Sequence, residues 1–269
     1  MGFFAEIDEA ARKNNSLLCV GLDPDPDLLP QGINPLDFNK AVIDATSNFV
    51  CAYKPNLAFY EAGGLAGWEL LEKTLDYIPK GIPVIADAKR GDIGNTAKAY
   101  ASAIFTGLGA GAATVNPYLG FDSIEPFLDY KDKGVFILCR TSNPGASDFQ
   151  SLRLTSGGRE LALYQLVAKK SNEWNKNGNI GLVVGATFPE ELKVLRQAYP
   201  DMPFLIPGVG AQGGDLKTAV ACGINKDGFG IIINSSRQVL YASRGRDFAR
   251  AASSSALKLR DDINMFRGL

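Results

Sequence analysis

Short runs of apolar and β-branched residues recur along the chain, and segments with helical periodicity follow most of them. The runs cover residues 17–22, 49–54, 82–89, 112–117, 134–140, 180–187, 202–210 and 228–234. Runs of this length without polar alternation are typical of parallel strands that are buried on both faces. Eight of them, alternating with helices, predict an α/β fold, the (β/α)8 TIM barrel. An open doubly wound sheet is the alternative.

The segments between the runs predict helices, for example over 121–133, with Asp122 or Ser123 as its cap, and over 158–177. No linker or low-complexity segment interrupts the series, so we expect a single barrel domain over residues 1–269. The connection 141–160 is polar and long for a loop between strand and helix. A loop of this kind is usually either disordered or an active-site lid, and the sequence leaves both open.

Charged residues stand where the second and third runs end. Alternation along 82–89 places Asp87 and Lys89 on one face, and Lys54 ends the run before it. Because the carboxyl ends of barrel strands surround one opening, we expect these three side chains to share a pocket. A buried ion pair that only supports the core is the alternative, but such pairs often add little net stability. The pattern therefore favours a functional site.

Two further polar residues follow this strand. Asp92 and Thr96 are four positions apart, which would place them on one face of a helix. From the residues alone, Asp92 is better explained as the N-cap of that helix.

A glycine-rich motif follows the seventh run. The segment 208–213 reads GVGAQG, and Asp227 lies at a distance typical of dinucleotide-binding folds. The motif stands at the seventh strand instead of the first, however, and Arg237 follows the eighth strand. In barrels the loops after these two strands commonly form a phosphate site. We therefore favour a phosphomonoester over a dinucleotide, while a simple tight turn is the plain structural alternative.

Composition narrows the chemistry further. There are 28 basic and 29 acidic residues, giving a net charge of −1, so the chain has no general attraction to nucleic acid or to a membrane surface. It contains no histidine, so lysine, aspartate and arginine must carry any acid–base work. The four cysteines stand far apart and predict free thiols in a reducing compartment. With neither a signal peptide nor a long apolar run in the sequence, we expect a cytoplasmic protein.

Six segments together resemble one family, the orotidine 5′-phosphate decarboxylases, and in particular its long bacterial branch. The resemblance extends over about residues 3–260 and implies a dimeric (β/α)8 barrel that converts orotidine 5′-monophosphate to UMP without metal or organic cofactor. The segments are VGLDPDP, YKPNLAFYEAGG, DAKRGDIGNTAKAYA, VNPYLGFDSIEPF, RTSNPGA and PGVGAQGGD.

The resemblance also implies roles for individual residues. Lys54, Asp87 and Lys89 would form the charged array of one subunit, while Asp92 with Thr96 would reach into the site of the partner, which replaces the N-cap interpretation. The substrate-binding residues would be Asp23 for the ribose, Ser142 for the pyrimidine, and Gln212 and Arg237 for the phosphate. At one position the chain departs from the pattern, since Ser236 stands where many members have glycine before the arginine.

Two other functions remain as alternatives. One is a metal-dependent sugar-phosphate decarboxylase or aldolase on the same barrel, with a related D-x-K motif. The other is a non-catalytic protein that binds a nucleotide phosphate, which would need neither Lys54 nor Asp92 beside the D-x-K pair.

Overall fold

A computed structural model describes residues 2–210 and 213–268. Parallel strands form one eight-stranded sheet in the order β2-β1-β10-β9-β8-β5-β4-β3, and β6 and β7 form a separate hairpin. The strands are β1 (Leu18–Gly21), β2 (Ala52–Lys54), β3 (Ile85–Arg90), β4 (Ala112–Val115), β5 (Gly134–Arg140), β6 (Arg153–Ser156), β7 (Arg159–Ala162), β8 (Ile180–Val184), β9 (Phe204–Ile206) and β10 (Ile231–Ser235).

The two edge strands of this sheet meet. The amide of Tyr53 donates to the carbonyl of Pro83 at 3.0 Å, and the amide of Asp87 donates to the carbonyl of Pro55 at 3.0 Å. These bonds join β2 to β3, so the sheet closes on itself. The structure confirms the predicted (β/α)8 barrel and rules out the open doubly wound sheet.

Helices follow most of the strands, and three of the described α-helices start at a residue whose side chain caps them. Asn34 accepts a hydrogen bond from the amide of Asp37 at 2.9 Å, and Asp215 accepts one from the amide of Thr218 at 2.8 Å. The helices are α1 (Phe3–Lys13), α2 (Pro35–Thr46), α3 (Leu57–Glu61), α4 (Gly64–Tyr77), α5 (Gly94–Ser102), α6 (Glu125–Leu128), α7 (Leu163–Trp174), α8 (Pro189–Ala198), α9 (Leu216–Gly223), α10 (Arg237–Leu240) and α11 (Phe248–Phe266).

The first helix closes the amino-terminal end of the barrel. Phe3 is buried and packs edge-on against Phe136, with ring centroids 6.2 Å apart. An added Cβ at Gly134 would lie only 2.4 Å from the Phe3 ring, so glycine at the start of β5 makes room for this side chain. This packing covers the amino-terminal end of the barrel at β5.

Two predicted helices differ from those in the structure. The segment 121–133 contains only the short α6, which begins after Ile124 and has no side-chain cap. Asp122 and Ser123 belong to a separate 3-10 turn, and the Ser123 hydroxyl donates to the carbonyl of Gly120. A helix that began at residue 121 would place Pro126 in its interior, where its missing amide could not donate to the carbonyl of residue 122, so the helix begins only next to Pro126.

The second difference lies in 158–177, where the helix α7 begins only at Leu163. Residues 159–162 pair instead with β6 as an antiparallel hairpin. Gly157 and Gly158 form its turn, with φ angles of 58° and 75°. Two consecutive positive φ angles define the tight turn that matches the twist of a two-stranded hairpin. The long polar connection 141–160 is therefore largely structured, with a 3-10 helix at Pro144–Asp148 before the hairpin.

Among the described residues, no helix combines the length and the apolar character needed to cross a membrane.

Candidate active site

A cavity of about 530 Å³ opens at the carboxyl ends of the barrel strands. This volume lies within the range typical of sites for small-molecule ligands. Six of the predicted site residues line it, namely Asp23, Lys54, Asp87, Lys89, Ser142 and Arg237.

Asp87 is the centre of the charged array. Its Oδ2 accepts from Lys54 Nζ at 2.7 Å, and its Oδ1 accepts from Lys89 Nζ at 2.6 Å. Lys54 and Asp87 are buried, whereas the side chain of Lys89 is 49% exposed and borders the open cavity. The array therefore has a fixed inner part and one ammonium group that a ligand can reach.

Burial and charge act in opposite directions on these groups. Burial alone would raise the pKa of Asp87, but the ammonium groups of Lys54 and Lys89 outweigh it and hold that pKa well below its usual range. Burial alone would lower the pKa of Lys54, but Asp87 and Asp23 outweigh it and raise that pKa. Asp87 is therefore an anion and Lys54 a cation at neutral pH, although both side chains are largely buried.

The backbone of β3 is irregular where these side chains project. Ala86 pairs with Ala113 and Arg90 pairs with Val115, so three residues of β3 face one residue of β4. Lys89 lies in this bulge with a φ angle of 47°. Left-handed backbone at a residue other than glycine is uncommon and often occurs at functional sites.

Asp23 lies beside the array at the end of β1. Its Oδ1 accepts from the amide of Asn56 at 2.9 Å, and its carbonyl accepts from the Tyr241 hydroxyl at 2.8 Å. The first bond holds the loop after β1 against the loop after β2, and the second holds it against the end of α10.

Arg237 also lines the cavity, at the start of α10. No described carboxylate forms an ion pair with this exposed guanidinium, which is therefore free to bind an anion. The amides of Gly210, Gly213 and Gly214 all donate to carbonyl oxygens of their own loop. Gln212 lies outside the described residues.

Ser236 does not adopt a backbone conformation that requires glycine. Its φ angle is −110°, a value open to any residue, so glycine is not required there. Its side chain fills the space that Gly21 leaves free, because an added Cβ at Gly21 would lie 1.9 Å from Ser236 Oγ. The serine at position 236 is therefore accommodated by the absence of a side chain at Gly21 on β1.

Ser142 stands at the end of β5 and packs tightly against β8. The carbonyl of Ser142 accepts from Thr187 Oγ1 at 3.1 Å, and an added Cβ at Gly185 would lie 2.8 Å from Ser142 Cα. Arg140, just before it, is almost fully buried, forms an ion pair with Glu191 and lies over the ring of Phe188. These contacts fix the start of the 141–160 connection at the cavity.

Asp92 and Thr96 are not brought together as predicted. The helix α5 begins at Gly94, so Thr96 is helical while Asp92 lies before the helix and accepts from the amide of Ile93 at 2.8 Å. Gly94 has a φ angle of 56°, which interrupts the helical path between the two. Neither residue lines the cavity of its own chain.

Arg90, which follows Lys89, has a structural setting of its own. It forms an ion pair with Glu61 and lies over the ring of Tyr100, with its guanidinium carbon 5.1 Å from the ring centroid. It thereby ties the end of β3 to α3 and α5.

Sequence reasoning missed several polar residues of the cavity wall, including Asn56, Thr114 and Tyr241. Thr114 left a readable signal, because it is a polar residue inside an otherwise apolar run. Asn116, the polar residue at the end of the same run, has a structural role instead: its side chain caps the 3-10 turn Pro117–Leu119 by accepting from the amide of Tyr118.

A (β/α)8 barrel with a charged, ligand-sized cavity at the carboxyl ends of its strands defines a barrel enzyme. Residues 16–252 match the model of the orotidine 5′-phosphate decarboxylase / HUMPS family. An orotidine 5′-phosphate decarboxylase of Dehalococcoides mccartyi is 57% identical over 267 residues, which cover 99% of each chain. The protein of that name from Roseiflexus castenholzii is 54% identical over 270 residues, 98% of each chain.

Solved structures agree with these relatives. The structure of Leishmania donovani OMP decarboxylase covers 100% of both chains, with a TM-score of 0.87 and 42% identity. A putative orotidine-monophosphate-decarboxylase from Toxoplasma gondii has a TM-score of 0.90 and 40% identity, covering 99% of this chain and 96% of that one. The chain belongs to the orotidine 5′-phosphate decarboxylase / HUMPS family.

Proposed function

We propose that the enzyme decarboxylates orotidine 5′-monophosphate to UMP, the last step of pyrimidine nucleotide synthesis, without a cofactor. The observation that carries this proposal is the Lys54–Asp87–Lys89 array in a cavity that is also lined by the guanidinium-bearing Arg237. Relatives that match nearly the whole chain bear the name of this activity.

The array suits a reaction that passes through a carbanion. When the bond between C6 and the carboxyl group breaks, CO2 leaves and the electron pair stays on C6, where the ring cannot delocalise it. Asp87 would place like charge beside the substrate carboxylate, and the Lys89 ammonium would stabilise the developing carbanion and then transfer its proton to C6. Water then reprotonates Lys89. Lys54 would hold Asp87 ionised and in place throughout.

The rest of the cavity would bind the nucleotide. Asp23 would accept hydrogen bonds from ribose hydroxyls, and Ser142 would contact the pyrimidine ring. Arg237 and Gln212 would bind the phosphate, with Arg237 supplying a forked, charge-assisted contact. Because the phosphate lies far from C6, its contacts can assist the reaction only through binding energy, for instance by closing Gln212 and the 141–160 connection over the ligand.

The active unit would be a homodimer in which Asp92 and Thr96 of one subunit complete the site of the other. Two observations support this. Neither residue lines the cavity of its own chain, and the surface around them is apolar. Ile93 and Tyr118 are 53% and 86% exposed, and both belong to segments that flank the cavity rim. Surfaces of this kind commonly mark protein interfaces.

The remaining expectations concern the setting of the enzyme. Residues 1–269 would form one domain, the location would be the cytoplasm, and the partners would be the small-molecule substrate and a second copy of the chain. Neither a nucleic acid nor a membrane is expected as a partner, given the balanced charge.

One assay tests the proposal against its rivals. The purified protein, treated with EDTA, is incubated with orotidine 5′-monophosphate while the loss of substrate absorbance is followed. We expect full turnover to UMP. A metal-dependent sugar-phosphate enzyme or a simple phosphate binder would leave the absorbance unchanged. The array favours turnover to UMP in the presence of EDTA, because ammonium groups already occupy both oxygens of the Asp87 carboxylate, where a metal ion would otherwise bind.

A further inference from the structure

Thr114 of β4 lies between the two charged residues of the β3 bulge. Its side chain is buried, with a residue exposure of 1%. The hydroxyl donates to Asp87 Oδ1 at 2.9 Å and accepts from the backbone amide of Lys89 at 2.9 Å. One hydroxyl group therefore bonds both to the side chain of Asp87 and to the backbone of Lys89.

These two hydrogen bonds of Thr114 are made where the backbone of β3 is irregular. Three residues of β3, from Asp87 to Lys89, face the single residue Thr114, so the regular ladder bonds are lost there. Lys89 has a φ angle of 47°, a conformation that side chains disfavour and that the surroundings must hold. The bond from its amide to Thr114 replaces the missing ladder bond and fixes this conformation.

The backbone conformation of Lys89 also affects the position of its ammonium group. Lys89 has a long side chain that is 49% exposed, so its direction depends on the backbone from which it extends. Asp87 Oδ1 accepts from both Thr114 and Lys89 Nζ, so the hydroxyl also fixes the carboxylate that orients this ammonium.

We propose that Thr114 is a positioning residue for the decarboxylation, which holds Lys89 in its left-handed conformation and orients the Asp87 carboxylate through one hydroxyl group. This inference rests on the proposed function for its kinetic consequences. Its structural part can be tested apart from that function.

Three variants separate the hydroxyl from the packing of the side chain. Thr114→Val keeps the shape and removes the hydroxyl, whereas Thr114→Ser keeps the hydroxyl and removes the methyl group. Thr46→Val is the matched control, since Thr46 is also buried and hydrogen-bonded, to the Val42 carbonyl and the Tyr53 hydroxyl, but does not line the cavity.

We expect kcat of Thr114→Val to fall by about 10²-fold, because small displacements of catalytic groups have effects of this size. UMP binding, measured by calorimetry, should change by less than about threefold, since the bonds lost act on the array and not on the ligand. Thr114→Ser and Thr46→Val should keep kcat within about threefold of the unchanged enzyme. If Thr114→Val does not fold, Thr114→Ala takes its place, with the same expected contrast to Thr114→Ser.

Three results would overturn the inference: an unchanged kcat in Thr114→Val, an equal loss in Thr114→Ser, or a loss of UMP binding as large as the loss of kcat. A crystal structure of Thr114→Val gives an answer without any activity. It should show Lys89 outside the left-handed region or a longer separation of Asp87 and Lys89, and an unaltered bulge would contradict the inference. An inactive unsubstituted enzyme, by contrast, would count against the proposed function alone.

Discussion

At the scale of single residues, Asp87 is the group on which the site depends. It is buried, and its two oxygens accept hydrogen bonds from Lys54, Lys89 and Thr114. Removing one member of a buried ion pair leaves the other charge without compensation. Lys54, which is also buried, would then keep only the more distant influence of the Asp23 carboxylate, with which it forms no ion pair among the described contacts.

The Asp87→Asn substitution should therefore lower the free energy of unfolding at pH 7 by about 3 kcal/mol. Because the folded-state pKa of Asp87 is depressed, its contribution to stability is present above the unfolded-state pKa of about 3.9 and is lost as the pH falls below that value. The difference between the two proteins in urea unfolding should therefore shrink as the pH is lowered from 4 to 3.

The exposed Asp129 provides the control, since Asp129→Asn should change the free energy of unfolding by no more than about 0.5 kcal/mol at either pH. A loss in Asp87→Asn that is independent of pH would show that the carboxylate does not stabilise the fold through its charge.

At the scale of secondary-structure elements, the site depends on how closely the ends of β5 and β8 approach each other. The amide of Gly185 donates to the carbonyl of Arg140 at 2.7 Å, just before Ser142. A methyl group at Gly185 would lie 2.8 Å from both the Cα and the amide nitrogen of Ser142. Backbone atoms cannot rotate away as a side chain would, so the strand end would have to move.

We expect Gly185→Ala to lower the free energy of unfolding by about 1–3 kcal/mol, as overpacking does elsewhere. The displacement of Ser142 should also lower kcat/KM by about tenfold, mainly through KM. Gly107→Ala is the matched control, because an added Cβ there meets nothing closer than 3.8 Å. Chemical denaturation and steady-state kinetics of the two variants would check this. Equal stabilities and equal kcat/KM values in Gly185→Ala and Gly107→Ala would contradict the role given to the close approach of Gly185 to Ser142.

The elements differ in how far they could be predicted. The eight barrel strands were predictable because strands buried on both faces must be apolar throughout. The hairpin at 153–162 was missed because helical periodicity in 158–177 outweighed the Gly157–Gly158 turn signal. The predicted helix over 121–133 was wrong because it was based on the periodicity of the apolar positions and took no account of Pro126. The bulge at Lys89 could not be predicted, since it depends on a hydroxyl from the neighbouring strand.

At the scale of the whole molecule, the series of apolar runs with charged residues at their ends predicted which strand ends meet. Lys54, Asp87 and Lys89 lie together because parallel strands bring their carboxyl ends to one rim of the barrel. The same rule gives no position for Asp92 and Thr96, whose predicted roles lie in the site of a second subunit. Residues that act across an interface leave no signal in the periodicity of their own chain.

Mixed dimers test the shared site. Asp92→Asn and Lys89→Ala proteins, each inactive alone, are mixed and allowed to exchange subunits. Random exchange makes half of the dimers hybrid, and each hybrid has one site with both residues intact, so about a quarter of full activity should return. Mixing each variant with itself is the control. No recovery after proven exchange would contradict a site built from two subunits.

The central claim is that the Lys54–Asp87–Lys89 array performs the decarboxylation, with Lys89 as the proton donor. The most direct measurement is the turnover of orotidine 5′-monophosphate by Lys89→Ala, with UMP binding measured beside it and the exposed Lys73→Ala as control. We predict that turnover falls by at least about 10⁴-fold, the upper range for loss of a general acid, while UMP still binds and Lys73→Ala is unaffected. Turnover by Lys89→Ala close to that of the unsubstituted enzyme would contradict the account.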